Sequence, residues 1–339
     1  MKEAYLYKTL RDGESVRCDL CSFRCVIKPG ERGKCAVREN RNGKLYTLVY
    51  PKAIAKSVDP IEKKPLFHFL PGTLSFSIAT VGCNFRCLYC QNHDISQYPF
   101  EHNGRIIGEE YPPERVVEDA LKTGCKTIAY TYTEPTIFFE YAIDTARIAK
   151  EYGIKNIFVT NGYMTKEAID MMAGVIDAAN VDLKAFSDAF YLQIAGGARL
   201  KPVLNSIRYM KEKGLWVEVT TLIIPYANDD PGEIIAIADE LCNIDPAIPW
   251  HLSRFYPNYK MDDVAPTDPN VIRNFAEMGR SVGLKYVYVG NMPGDKREST
   301  YCPSCGELLI KRYGFDILSN RIVNGRCPSC GTKIDIVES

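Results

Sequence analysis

Between residues 73 and 292, short runs of β-branched and aromatic residues alternate with longer stretches whose apolar positions recur at helical spacing. The strand-like runs are TLSFSIAT, KTIAYTYT, NIFVTNG, AANVDLKAF, LWVEVTTLII, WHLSRFYP and YVYVGNM, each flanked by turn residues. Helices are expected in PPERVVEDALKTG, FFEYAIDTARIAKEYG and DPNVIRNFAEMGRSVG. The first and third open with Pro, whose missing N–H costs nothing in a first turn, and all three close on Gly, which takes a left-handed cap without strain. Near-continuously apolar strands separated by helices predict an α/β fold of six or seven βα units around a parallel sheet, curved like part of a TIM barrel. A doubly wound open sheet fits the same periodicity.

The two ends break this rhythm. Residues 1–70 carry four cysteines and Pro/Gly-bearing connections such as IKPGERGKC and HFLPG, while residues 297–339 carry two CPSCG knuckles. Three parts are therefore expected: an N-terminal four-cysteine module (1–70), the βα domain (71–296) and a C-terminal ribbon (297–339). Lys+Arg and Asp+Glu both number 42, so no basic footprint marks a nucleic-acid or membrane partner. MKEAYLYKTLRDGESV lacks the apolar core of a signal peptide, and no apolar run approaches the roughly 18 residues of a membrane helix, so a cytoplasmic location is expected.

Thirteen cysteines, an odd number gathered in tight clusters, point to metal ligation rather than to a disulfide framework. Cys83, Cys87 and Cys90, in TVGCNFRCLYCQN, follow the first strand and fall in a βα loop, where parallel β/α folds place their chemistry. C-x3-C-x2-C lets one loop wrap three corners of an iron-sulfur cube and leaves one iron open. A zinc site completed by His93 and three buried small hydrophobes are the alternatives. Cys302, Cys305, Cys327 and Cys330 form two C-x2-C knuckles for zinc or a rubredoxin-like iron, and Cys18, Cys21, Cys25 and Cys35 suit zinc or a second cluster. Cys125 and Cys242 read as buried hydrophobes and His68 as a packed or surface residue rather than a ligand. His251, Arg254 and Tyr256 lie on a late strand where either a substrate pocket or ordinary packing would use them.

CNFRCLYC, with Tyr89 before its last cysteine, closely resembles the signature of the radical S-adenosylmethionine (SAM) enzymes. The resemblance implies a partial TIM-type (β/α)6 radical SAM barrel, a 4Fe-4S cluster on Cys83, Cys87 and Cys90, and SAM chelating the open iron and cleaved reductively to methionine and a 5′-deoxyadenosyl radical. Tyr132-Thr133-Glu134 stands where this superfamily often has Gly-Gly-Glu, which binds the methionine amino group. Thr160-Asn161-Gly162 and Asp182-Leu183-Lys184 resemble segments of the pyruvate formate-lyase activating enzymes. The resemblance is closest to the activase-like enzymes of AmmeMemoRadiSam systems, including CDLCSFRCVIKPGERGKCAVREN and the pair of CPSCG knuckles, and spans essentially the whole chain.

The cofactor contacts it implies are Tyr89, Thr133, Glu134, Thr160, Asn161, Asp182 and Lys184, with Glu134 suited to the ammonium and Lys184 to the carboxylate or ribose edge. Glu134 as a structural ion pair, and Asp182 with Lys184 pairing only with each other, are the competing readings. Val159 replaces the activating enzymes' Asp and removes a carboxylate from their cation site. The implied partners are an electron donor such as ferredoxin or flavodoxin and a protein substrate or Memo-like partner. A small-molecule radical reaction and a non-catalytic metal-stabilised scaffold are the alternative functions.

Overall fold

The computed structural model describes residues 1–338. Its centre is an eight-stranded sheet in the spatial order Val287–Gly290, Trp250–Arg254, Trp216–Ile223, Ala178–Asp182, Lys155–Thr160, Thr127–Tyr130, Leu74–Ala79 and Ala55–Pro60. The first seven run parallel, and Ala55–Pro60 pairs antiparallel with Leu74–Ala79. All seven expected strands are present. Their order never reverses, which removes the doubly wound alternative, and the (β/α)6 expectation is exceeded by one parallel strand. Ala55–Pro60 lies on the N-terminal side of the expected boundary at residue 70, yet it extends this sheet.

Helices Pro113–Lys122, Phe139–Glu151 and Pro269–Val282 form where their patterns place them. Three more fill connections between strands: Lys166–Met172, Leu200–Glu212 and Pro231–Ile244. Side-chain caps stop the first turns of Pro231–Ile244 and Pro269–Val282 from fraying, with Asp230 Oδ1 accepting from Glu233 N at 3.0 Å and Asp268 Oδ1 from Asn270 N at 2.8 Å.

Both faces of the sheet are buried, by different means. Ile128, Phe158, Ala179 and Val217 pack in the cluster that contains the helices, whereas Ala129, Ile157 and Ala178 pack against Ile61, Leu66, Phe69 and Leu70. The segment 61–70 is therefore a plug against the second face. Glu218, within the apolar run LWVEVTTLII, anchors it by accepting from Phe67 N (2.9 Å) and His68 N (2.8 Å). His68 is packed as expected, bonded to Asp335 O (2.6 Å) and to the Tyr288 hydroxyl (2.5 Å).

The N-terminal module is two small antiparallel sheets docked on the helical side. Its main tie is the fully buried fork of Arg38 on Glu140, at 2.9 and 2.7 Å. At the other end, Thr300–Tyr301, Leu308–Tyr313 and Asp316–Asn320 form a three-stranded sheet. Cys302, Leu309, Ile310, Cys327 and Ile334 of this module share a core with Phe67, Tyr286 and Tyr288. Cys125 is buried as expected, and Cys242 is half-buried. No helix is long and apolar enough to cross a membrane.

A candidate active site at the carboxyl ends of the strands

The seven parallel strands end on one side of the sheet, and residues from every one of those ends line a single cavity of about 540 Å³. That is the size range of a small-molecule site. Cys83, Cys87 and Cys90 line it. Their loop is pinned from several directions: Gly82 N donates to Ile95 O, Arg86 N to Ala195 O and Leu88 N to Ile194 O. The last two contacts bring the segment at 194–196 so close that a Cβ on Gly196 (φ +90°) would lie 2.6 Å from Arg86 N. Glycine is required there.

Phe85 N donates to Cys83 Sγ at 3.3 Å, and Cys90 Sγ lies 3.2 Å from Ser96 Oγ. Burial pushes the Cys87 thiol up to about 11, and the Cys83 and Cys90 thiols are raised by the same cause. A cationic metal centre is what would make thiolates of them. His93 does not join the cysteines: its ring stacks on Tyr259 at 4.4 Å and lies outside the cavity lining, which removes the His93-completed zinc site. The reading as buried hydrophobes fails too, because all three thiols are only half-buried and line the cavity.

Glu134 is buried at the cavity wall and bonded only by neutral donors. Its Oε1 accepts from Thr136 N (3.0 Å), Thr136 Oγ1 (2.5 Å) and Thr160 Oγ1 (2.6 Å), and its Oε2 from Asn161 N (2.7 Å). It makes no ion pair among the described residues, so the structural-pair reading lacks a partner. Burial raises its pKa despite these donors. Asn161 also donates to Asn84 Oδ1 at 2.7 Å, tying the third parallel strand to the cysteine loop.

Tyr132 and Thr133 fall in the loop after Thr127–Tyr130 rather than on the strand itself. Tyr132 adopts φ +63°, a conformation that favours glycine. Two bonds offset the strain: the Tyr132 hydroxyl donates to Asp59, and Asn92 Nδ2 donates to Tyr132 O at 2.8 Å. Thr133 Oγ1 donates to Thr80 O (2.9 Å).

Asp182 closes its strand and Lys184 lies just beyond it, so the two do not share a strand face, yet Nζ and Oδ2 meet at 3.0 Å. Burial opposes the Lys184 charge, but Asp182, Tyr89 and Cys87 hold its pKa well above the ordinary lysine value. Its ammonium sits 5.7 Å from the centre of the buried Tyr89 ring. Val159 lines the cavity where the activating enzymes have Asp. His251 lines it as well and meets Glu218 at 2.7 Å, while Arg254 and Tyr256 do not reach it. Sequence reasoning missed Asn84 and Glu218, although a carboxylate inside an apolar strand was a visible signal for the second.

The other cysteine groups differ in geometry. Cys302 Sγ lies 3.6 Å from Cys330 Sγ, and Cys305 Sγ lies 3.7 Å from Cys327 Sγ. A tetrahedral ion with about 2.3 Å metal–sulfur bonds sets its ligands about 3.8 Å apart, so this group suits a single metal ion. Among the described residues it is the one set of three or more His, Cys, Asp or Glu ligand atoms lying within 4.8 Å of one another. The active-site cysteines instead come from one loop and face the cavity, a three-cysteine set that would hold three corners of a cube with one cysteine per iron. Cys18, Cys21, Cys25 and Cys35 surround a small separate void.

Residues 77–241 match the Radical SAM superfamily. The uncharacterized protein MJ0808 of Methanocaldococcus jannaschii is 47% identical over 343 residues, covering 99% of this chain and 100% of that one. Pyruvate formate-lyase 1-activating enzyme of Escherichia coli K12 is 22% identical over 222 residues, covering 61% of this chain and 89% of the enzyme. A radical SAM methyltransferase from Sphaerobacter thermophilus shares the α/β fold, with a TM-score of 0.50 and 15% identity across 84% of this chain and 75% of that one. The chain carries a Radical SAM domain over residues 77–241 and is related to activating enzymes, which marks it as an enzyme of radical chemistry in a family that works with a 4Fe-4S cluster and SAM.

Proposed function

We propose that Cys83, Cys87 and Cys90 hold a 4Fe-4S cluster whose open iron takes SAM, and that the enzyme abstracts hydrogen from a protein substrate in the manner of an activating enzyme. The observation that carries this reading is three cysteines on the wall of a cavity that also presents a buried carboxylate paired with no cation among the described residues. When bound, the cluster supplies the electron that splits the SAM sulfonium into methionine and a 5′-deoxyadenosyl radical.

The chain's own groups bind and orient. Glu134 Oε2, with a single backbone donor, has a lone pair for the methionine ammonium, and four neutral hydrogen bonds hold the carboxylate in place. Thr133 and Thr160 fix the strand ends around it. Lys184, held by Asp182 above the face of Tyr89, offers its charge to the SAM carboxylate or ribose edge, and Asn161 braces the cysteine loop. The apolar rings of Phe67, Phe85 and Phe315 in the cavity wall would keep water from the radical's path.

Several finer features accompany this reading. The sheet is a partial barrel, supported by a cavity that all seven strand ends line. The parts are an N-terminal module (1–70), a catalytic domain (71–296) and a ribbon (297–339) carrying zinc or mononuclear iron. The enzyme is cytoplasmic, takes electrons from a ferredoxin or flavodoxin, and belongs to the AmmeMemoRadiSam branch with a Memo-like protein as substrate or partner. Relationship to an activating enzyme over 61% of the chain supports a protein substrate.

Anaerobic enzyme reduced with dithionite and given SAM is expected to form 5′-deoxyadenosine, and Cys87→Ala to form none. Deuterium moving from a labelled partner protein into 5′-deoxyadenosine would establish the protein substrate. Transfer only from small metabolites would assign a small-molecule reaction, and no 5′-deoxyadenosine under any condition would leave a scaffold.

A further inference from the structure

Four cysteines outside the active site converge on one place. Cys18 ends the strand Val16–Cys18, Cys21 and Cys25 follow in its turn, and Cys35 precedes the strand Arg38–Arg41. All four are free thiols lining a small void, which the N-terminal module encloses with Arg38 and the central domain with Asn84 and Thr136. The four sulfurs of the C-terminal ribbon lie within 4.8 Å of one another, whereas these four cysteines ring a void. A single ion draws thiolates to about 3.8 Å separation, and a cube with one cysteine per iron holds them wider.

The surroundings suit an anionic centre. Four thiolates around a 4Fe-4S core leave net negative charge, and the void is lined by Arg38 and Lys34. Arg38 is 2% exposed, and its Nε has no hydrogen-bond partner. Lys34 N points at Cys25 Sγ (3.4 Å), the kind of N–H to sulfur contact that tunes cluster potentials and that Phe85 N makes to Cys83.

Only a thin wall separates this void from the active site. Asn84 lines the void, and its Oδ1 is 3.8 Å from Cys83 Sγ. Gly82, next to Cys83, is packed so tightly on the N-terminal module that a Cβ there would lie 3.2 Å from Cys35 O. Thr136 lines the void and donates to Glu134. Cys21 and Cys25 are half-buried, and Val26, next to Cys25, is exposed, which leaves an approach for another protein.

We propose that Cys18, Cys21, Cys25 and Cys35 hold a second 4Fe-4S cluster that relays electrons into the active site. A reduced one-electron donor of the ferredoxin or flavodoxin class is oxidised, the N-terminal cluster is reduced by that electron, and it returns to its oxidised state on passing the electron inward. No bond or proton moves at this site. The cluster assignment stands on its own residues, while the relay rests on the radical reading of the main cavity.

The full chain, isolated without oxygen and reconstituted with iron and sulfide, is compared with Cys83→Ser/Cys87→Ser/Cys90→Ser and with Cys21→Ser/Cys25→Ser. About eight cluster irons and eight sulfides are expected in the parent and about four of each in either variant. The active-site variant is expected to keep a reduced-state paramagnetic signal that SAM does not alter. One additional zinc and no sulfide in that variant would overturn the second cluster. If the parent holds only four irons and they vanish with Cys21 and Cys25, the active-site reading fails and the second cluster stands. For the relay, rapid mixing with reduced flavodoxin is expected to reduce the active-site cluster at least tenfold more slowly in Cys21→Ser/Cys25→Ser, although dithionite reduces it to the parent's extent. Equal rates with flavodoxin would overturn the relay.

Discussion

The cysteines of the C-terminal ribbon and those of the active-site loop perform opposite tasks with the same atom. In the ribbon, four sulfurs close to 3.6 and 3.7 Å around one point, within a core that joins module to sheet. In the loop, three sulfurs face a cavity. Closure at all four corners gives structure, and an unfilled corner gives chemistry. The difference is set by the backbone: CPSCG knuckles present paired thiols locally, whereas the active-site loop depends on contacts from 194–196 and on residues that cap neighbouring strands.

The comparison breaks most visibly at the metals. Cys87→Ala should abolish 5′-deoxyadenosine formation and lower cluster iron while leaving the ribbon metal in place, as metal analysis and product chromatography would register. Cys305→Ser/Cys330→Ser should do the reverse, lowering the thermal midpoint by several degrees, since structural metal binding is folding free energy. A variant that lost both metals together would show the two regions to be one cooperative unit.

Next in size is an effect of pH on the ribbon's attachment. Burial pushes the pKa of His68 down to about 4, so the folded state resists a proton that the unfolded chain accepts near 6.5. Stability is therefore full above about pH 6.5 and falls as pH drops toward 4, by about 3 kcal/mol in all. Thermal melts across this range should show the decline, and His68→Gln should flatten it.

Smaller effects refine the active-site half. Glu134→Gln removes the charge but keeps the shape, and should weaken SAM binding by roughly tenfold to a hundredfold, the worth of a charge-assisted hydrogen bond. Calorimetry on the reconstituted enzyme would measure it, and unaltered affinity would assign Glu134 to structure alone. Smallest of all, Tyr132→Gly relieves a left-handed residue by about 1 kcal/mol but loses the hydroxyl bond to Asp59, so its thermal midpoint should stay within a few degrees of the parent's.

Much of this was readable in the chain. The seven strands follow from β-branched runs between turn residues, and the cysteine groups from spacing alone. What escaped were contacts between segments distant in sequence. HFLPG gives no periodic signal, yet Phe67 and His68 sit beneath the cavity because Glu218, about 150 positions away, holds their backbone. The left-handed turn at Tyr132 is equally silent, since it is stabilised by Asp59 from the antiparallel strand and Asn92 from the cysteine loop. The Lys184–Asp182 contact was foreseeable from their spacing, but not that the strand would stop between them.

The plug at 61–70 and the buried Arg38–Glu140 fork give the chain an order of assembly. Both the plug and the arginine leave the ribosome before any of the parallel strands they touch, so the sheet has its filling at hand as each strand is added. The ribbon emerges after all of these strands and reaches back to that same segment, through Arg312 on Phe67 O and Asp335 on His68. A chain truncated by a few dozen residues would thus have its strands and its cysteine loop but no latch, and a chaperone or protease could tell a finished molecule from an unfinished one at this seam.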